Sequence, residues 1–393
     1  MVKKELSRIE KLELVQRQAY NAWLNSKGVG TINVATGVGK TIIAFKCLYY
    51  ALKKSWIVQG SKVTFYAETE VREQTLKDEA KKFKEIYGLD VYKDFNITFV
   101  CYQANKPIED DVKILDEIHF IGEIYAKQFE NCNSYIIGLT ATTSESTVVN
   151  SVTFLTKEEI INSIAPVCFR YPIDEAIRDG ILSPYQTSFI YHKLDETSPY
   201  LTLSKGSRNF VTEKAYYGQK NFNKNNMRNA EYIRRKSGME MAKLLWGLKS
   251  KVEVVKNHLR TISGKTVIFG VELAILKQIT PNVVSGENTK EENQKLIDDF
   301  NSGVIDTIAS AKMLKQGITL EGVENCVLVS YYSTSTDFIQ RLGRIVRFVP
   351  NKLANLYIVV TQDTLEANWV SKMILVKDGS GAVTHSIDLN LKL

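Results

Sequence analysis

Short apolar runs alternate along the chain with longer stretches in which apolar residues recur every three or four positions. That is the pattern of strands and helices in parallel α/β domains. In the first half the runs at 31–34, 63–66, 97–101, 112–115 and 135–139 are predicted strands. They are nearly all apolar rather than alternating, as strands covered by helices on both faces should be. After the first run, 41–52 predicts a helix with Ile43, Phe45, Leu48 and Leu52 mostly inward. The second half repeats the alternation, with strands predicted at 266–269, 283–284, 307–309, 326–331 and 356–360. The middle reads differently. From Gly238 to about Ile262, Met241, Leu244, Leu245, Leu248, Val252 and Val255 trace an amphipathic helix. Upstream, 201–236 carries Lys205, Arg208, Lys214, Lys220, Lys224, Arg228, Arg234, Arg235 and Lys236 against only Glu213 and Glu231. Phe210, Tyr216, Tyr217, Phe222 and Tyr232 are interleaved with these charges. Gly180-Ile181-Leu182-Ser183-Pro184 punctuates the pattern just before this segment. It predicts a division into domains 1–184 and 185–393, the second including the basic aromatic segment 201–236.

The 393 residues suit two cores of ordinary size. The net charge of +7 and the pI near 8.9 fit a polyanion-binding protein, a balance that many other proteins share. No apolar run approaches the roughly 18 residues of a membrane span. The opening Met1-Val2-Lys3-Lys4-Glu5-Leu6 lacks the apolar stretch of a signal peptide. Five scattered cysteines without a C-x-x-C pair argue for reduced thiols and against a disulfide framework or a zinc site. A cytoplasmic protein with no membrane partner is expected, in the host cytoplasm if the chain is phage-encoded.

Chemistry concentrates first at Ala35-Thr36-Gly37-Val38-Gly39-Lys40-Thr41, between a predicted strand and a predicted helix. A Gly-rich turn in that setting turns consecutive backbone N–H groups toward an anion, and the helix N-terminus adds partial positive charge. Thr36, Gly37, Val38 and Gly39 would form the cradle. Lys40 would reach the β- and γ-phosphates of a nucleoside triphosphate, and the Thr41 hydroxyl would ligate Mg2+. Asp116-Glu117 ends an apolar run, which places two carboxylates at a strand's C-terminal end, where α/β sheets bind ligands. Asp116 would hold the metal and Glu117 would accept a proton from the attacking water. Far downstream, Arg341, Arg344 and Arg347 follow Gln340 at helical spacing. Three such arginines are more often a solvated face, yet phosphoryl transfer needs positive charge delivered from outside the P-loop domain.

In this order and spacing the chain resembles the superfamily 2 helicases and translocases over nearly its whole length. Arg17-Gln18 resembles the adenine-recognising Q motif, 35–41 motif I, and Asp116-Glu117-Ile118-His119 motif II. Thr140-Ala141-Thr142 is similar to motif III, 267–269 to motif IV, 310–319 to motif V, and Gln340-Arg341-Leu342-Gly343-Arg344-Ile345-Val346-Arg347 to motif VI. The resemblance implies two tandem RecA-like domains, each a parallel sheet flanked by helices, with ATP in the cleft between them. It implies that Arg17 and Gln18 contact adenine, that His119, Thr140 and Thr142 couple ATP state to domain closure, and that Gly317 belongs to the turn between nucleic acid and ATP. Gln340 would sit near the γ-phosphate, with Arg344 and Arg347 as arginine fingers. Gln74, Ser310 and Lys312 would fall among the nucleic-acid contacts. With its DEIH box and its C-terminal pattern over 361–369, the chain looks closest to compact phage UvsW-type DNA helicases and restriction-enzyme motor subunits.

Two departures stand out. The stretch 67–74 matches motif Ia at Gln74 but lacks its backbone-contacting Pro-Thr, and Thr319 stands where motif V often has Asp or Asn. The motifs reach from near the first residue to near the last, which predicts a minimal enzyme without a separate wedge or nuclease domain. Arg208, Lys214, Lys220 and Lys224 of the basic segment would then form an electrostatic track with stacking rings, or simply a solvated loop. The expected activity is an ATP- and Mg2+-dependent DNA helicase or translocase, monomeric, acting on single-stranded, forked or branched DNA. An RNA helicase, a motor subunit with a protein partner in a restriction-type complex, and an ATP-gated nucleic-acid clamp that does not translocate are the alternatives.

Overall fold

A computed structural model describes residues 6–68, 71–104, 108–129, 132–141, 157–202, 210–226, 231–311, 320–330, 353–375 and 383–388. The chain divides into two units whose main boundary lies between Ser183 and Pro184.

The apolar runs of the first half form β1 (Val29–Val34), β2 (Lys62–Ala67), β3 (Asn96–Cys101), β4 (Val112–Asp116) and β5 (Tyr135–Thr140). They join β6 (Val167–Tyr171) in a parallel sheet of order β3-β2-β4-β5-β1-β6. Val29 lies opposite Ile136 in the β1–β5 pair, and Val112 opposite Tyr135 in the β4–β5 pair. Because all three strands run the same way, the C-terminal ends of β1, β5 and β4 share one edge. The segments after Val34, Thr140 and Asp116 therefore meet there. Strand β6 was not among the predicted runs. It sits at the sheet edge, and its Val-Cys-Phe-Arg-Tyr sequence is half-buried for most of its length.

Three helices support this edge. α1 (Arg8–Asn25) starts at a capping box, in which the Ser7 side chain accepts from the Glu10 N–H and Glu10 reaches back to the Ser7 N–H. It buries Val15, Gln16, Ala19, Tyr20, Trp23 and Leu24, a stripe at helical spacing. The indole of Trp23 donates to the Ile136 carbonyl at 2.8 Å, which fixes α1 to β5. α2 (Lys40–Lys53) carries the predicted inward Ile43, Phe45 and Leu48. α3 (Val71–Tyr87) follows β2, and Phe83 on it meets Phe45 of α2 edge-on with ring centroids 5.5 Å apart.

The second unit is built on β7 (Tyr185–His192), a short antiparallel pair of β8 (Leu201–Thr202) and β9 (Phe210–Val211), and then β10 (Thr266–Phe269), β11 (Val283–Val284) and β12 (Thr307–Ser310). It is completed by β13 (Asn325–Leu328), β14 (Ala354–Thr361) and β15 (Val383–Asp388). Its main sheet is parallel with the order β11-β12-β10-β13-β14-β7-β15. The amphipathic pattern over 238–262 resolves into two helices, Glu231–Trp246 and Ser250–Leu259. Gly247 ends the first, its N–H bonding back to the Lys243 and Leu244 carbonyls. Beneath the sheet lies a fully buried pair, Lys251 Nζ to Glu366 Oε1 at 2.5 Å. Lys251 also donates to the Val329 carbonyl, and Glu366 accepts from the N–H and hydroxyl of Thr361.

Candidate nucleotide site

The loop after β1 holds two glycines in the left-handed region, Gly37 at φ +99° and Gly39 at φ +89°. The backbone at Gly39 favours glycine, and a Cβ there would lie 2.9 Å from the Gln16 amide nitrogen, which would have to shift. Gly39 is also the N-cap of α2 and offers no side-chain oxygen to the first turn. The leading N–H groups of α2 are left without a side-chain cap, the arrangement that favours an anion. The Thr36 hydroxyl at the start of this loop is buried and has no hydrogen-bond partner. A phosphate oxygen would supply one.

Opposite stands the end of β4. Asp116 is the last residue of the strand and is buried, and Glu117 follows at φ +51° and ψ +53°. A left-handed conformation is costly for a residue with a side chain and is the kind of strain concentrated at functional positions. It turns the Glu117 carboxylate onto Lys40, with Nζ–Oε1 at 2.9 Å. Burial drives the Glu117 pKa upward, but the charges of Lys40, His119 and Arg72 outweigh it and hold the carboxyl below its usual range. The second oxygen of Glu117 is buried without a hydrogen-bond partner, 3.4 Å from His119 Nδ1. His119 Nδ1 lies 2.9 Å from the Thr140 hydroxyl at the end of β5, so motif II and motif III are in direct contact. Tyr102, buried beneath, donates to the Asp116 carbonyl at 2.8 Å.

A residue not anticipated from sequence completes the site. Arg72, near the start of α3, donates from Nη2 to the Thr41 hydroxyl at 2.5 Å and from Nε to Asp116 Oδ2 at 2.7 Å. Its Nη2 also meets Glu79 Oε2 at 3.0 Å. Burial disfavours its charge, but Asp116 and Glu79 raise its pKa, so the guanidinium stays ionised. The two oxygens expected to serve Mg2+ thus already converge on one cation. That convergence is what a divalent metal with oxygen ligands requires.

Around Arg17 and Gln18, expected at adenine, the structure separates neighbouring residues. Gln18 is exposed on α1, whereas Gln16 is buried, donates to the Val38 carbonyl at 2.9 Å and accepts from Lys46 at 2.7 Å. Gln16 is therefore the glutamine that touches the phosphate loop. A polar residue inside the apolar stripe of α1 was the available signal. Arg17 is exposed and lines a cavity of about 420 Å3 with Glu13, Tyr20, Lys46, Tyr50 and Tyr87. For Arg72 the only signal was the mismatch of 67–74 to motif Ia.

The remaining predicted residues are dispersed. Gln74 is exposed and donates to Asp78 at 3.3 Å. Ser310 is fully buried at the end of β12. Lys214 pairs with Glu196, and Lys220 lies over the Tyr216 ring at 5.5 Å. Tyr217 is buried with Met241, Leu244, Leu245 and Leu248, and its hydroxyl accepts from the Leu365 N–H at 3.0 Å. Tyr216 packs against the same cluster, so two rings of the basic segment serve packing. Lys224 falls on the helix Glu213–Asn226. Thr142, Arg208, Lys312, Gly317, Gln340, Arg344 and Arg347 lie outside the described residues.

Residues 9–145 match the family described as "Type III restriction enzyme, res subunit", and residues 248–349 match the "Helicase conserved C-terminal domain". A DNA 3'-5' translocase XPB2 from Sulfurisphaera tokodaii is 24% identical, the alignment covering 91% of this chain and 83% of that protein. Among solved structures, the ATP-dependent Type ISP restriction-modification enzyme LlaBIII bound to DNA superposes on 96% of this chain with a TM-score of 0.61 and 15% identity. The match spans 32% of that enzyme. The Mycobacterium smegmatis helicase Lhr bound to single-stranded DNA and AMP-PNP gives a TM-score of 0.55 at 14% identity, over 96% of this chain and 50% of its own. These structural likenesses establish tandem RecA-like architecture. No helix among the described residues is long and apolar enough to cross a membrane.

Proposed function

We propose that this chain, which belongs to the superfamily 2 helicases and translocases, uses ATP hydrolysis to move along DNA. The observation that carries the reading is the meeting of Lys40, Thr41, Asp116 and Glu117 beside a phosphate loop whose buried Thr36 hydroxyl lacks a partner. Thr41 and Asp116 would hold Mg2+, which, when bound, neutralises charge on the phosphate oxygens. The leading N–H groups of α2 and the Thr36 hydroxyl bind the phosphates, and Lys40 leaves Glu117 for the γ-phosphate. Glu117, freed of that ion pair, keeps the burial that favours protonation and so becomes the better acceptor for a proton from water. His119, in contact with Thr140, reports the state of the phosphates to the end of β5. Arg344 and Arg347, which the resemblance implies as arginine fingers, would supply further positive charge, Arg17 and Gln18 would serve the adenine, and Gln16 braces the loop through the Val38 carbonyl.

DNA is favoured over RNA because the 24%-identical relative, alignable over most of both chains, is named a DNA 3'-5' translocase. Branched or forked DNA is the proposed substrate, with contacts mainly to phosphate and sugar. The chain works as a monomer in the cytoplasm, where its five free cysteines stay reduced. Steady-state ATPase assays with single-stranded DNA, duplex, forked DNA and single-stranded RNA test this, with Lys40→Ala as the blank. Stimulation chiefly by DNA, strongest with forks, is expected. Stimulation chiefly by RNA would replace the DNA reading by an RNA helicase.

A further inference from the structure

The clasp formed by Arg72 closes on Thr41 and Asp116, beside the Lys40–Glu117 ion pair. It closes on the two oxygens that the nucleotide reaction has another use for. The guanidinium sends one N–H to the Thr41 hydroxyl and another to Asp116 Oδ2, at 2.5 and 2.7 Å. Its side chain is largely buried and stays charged, and its planar fork matches the two oxygens as a pair. We infer that Arg72 is a built-in cation that competes with the divalent metal for Thr41 and Asp116, so that metal–nucleotide binding requires its release. The inference rests on the reading of those two residues as metal ligands and adds a control to it.

Several features fit such an exchange rather than a permanent brace. Helix α2 has a tie to α1 apart from the clasp, through Lys46 with Glu13 and Gln16. A metal ion beside Asp116 and a guanidinium on the same oxygen would repel one another, so the two cations exclude each other. Glu79 gives the released arginine a partner. It lies on α3 with Arg72, already holds Nη2 at 3.0 Å, and is about one-third exposed, open to a rearranged side chain. Arg72 also belongs to 67–74, the stretch that departs from the family's nucleic-acid-contacting pattern. Metal entry and the position of the α3 N-terminus are therefore linked through one side chain.

The test is equilibrium binding of a fluorescent ADP analogue to the full chain, titrated with Mg2+ and repeated in EDTA. Mn2+ binding followed by electron paramagnetic resonance serves as an independent readout. Arg72→Gln is expected to lower the half-saturating metal concentration about tenfold, the size of one lost charge-assisted hydrogen bond. Its affinity for the analogue in EDTA is expected to stay at the wild-type value. Arg72→Lys keeps the buried charge but loses the fork that spans both oxygens, and is expected to lower the metal requirement by a smaller factor. It retains the partner charge for Asp116 and Glu79, so this variant decides the matter even if Arg72→Gln does not fold, and an unchanged or raised requirement in it overturns the inference. An unchanged or raised metal requirement in Arg72→Gln overturns the inference. So does weakened binding in EDTA, which would make Arg72 a phosphate ligand. Asp116→Asn separates the two levels, since unaltered metal dependence there overturns the metal assignment itself.

Discussion

Lys40 and Glu117 neutralise one another across 2.9 Å, and the proposed function gives each a second task that requires them to part. In that reading the lysine moves to the phosphates and the glutamate becomes the proton acceptor. Replacing Glu117 by Gln keeps the shape and a hydrogen bond to Lys40 but removes the base. Nucleotide and DNA affinity are expected to persist, while turnover falls by about 10^2–10^4, the range for loss of general-base catalysis. Single-turnover hydrolysis and filter binding check this together; normal turnover in Glu117→Gln would remove the residue from the reaction. Lys40, Thr41, Asp116 and Glu117, which the structure brings together, were legible in the sequence because the motifs fix both residue type and neighbours. Gln16 and Arg72 were not. Their roles depend on which face of a helix meets the loop, and that is decided by packing of α1 and α3 rather than by local motif.

At the scale of elements, the fully apolar runs announced their strands, since a strand covered on both faces admits little else. β6 and β7 escaped because polar residues interrupt them. β7 carries Thr187, Ser188 and His192, all buried in the structure, and so reads as a mixed segment. His192 shows why those polar residues are tolerated. Its Nε2 lies 2.9 Å from the Thr361 hydroxyl, joining β7 to β14 above the Lys251–Glu366 pair. Burial, and then the charge of Lys251, bring its pKa from 6.5 down to about 3. The folded chain therefore keeps this imidazole neutral while the unfolded chain takes up a proton below 6.5. Its contribution to stability is intact above that pH and is lost as pH falls toward 3. One such group adds a slope of up to about 1.4 kcal/mol per pH unit. In urea titrations between pH 7 and 4, His192→Asn is expected to show a shallower loss of stability than wild type. Parallel curves would show that the acid sensitivity arises elsewhere.

The whole molecule pairs a parallel sheet that carries the phosphate loop with a second parallel sheet whose family match includes the Arg344 and Arg347 region. Motif order along the chain made this two-domain plan legible before any coordinates. The basic segment was less so, because charge and aromatic content do not say which rings face inward, and Tyr216 and Tyr217 do. ATP hydrolysis by itself would not separate a motor from a switchable clamp, since both turn over nucleotide. Displacement of a third strand from a DNA triplex does separate them, because the enzyme must travel along the duplex to strip it. With ATP, wild-type protein is expected to release the labelled strand while Lys40→Ala does not. DNA-stimulated ATP hydrolysis without any strand release would contradict the account and leave a clamp in its place.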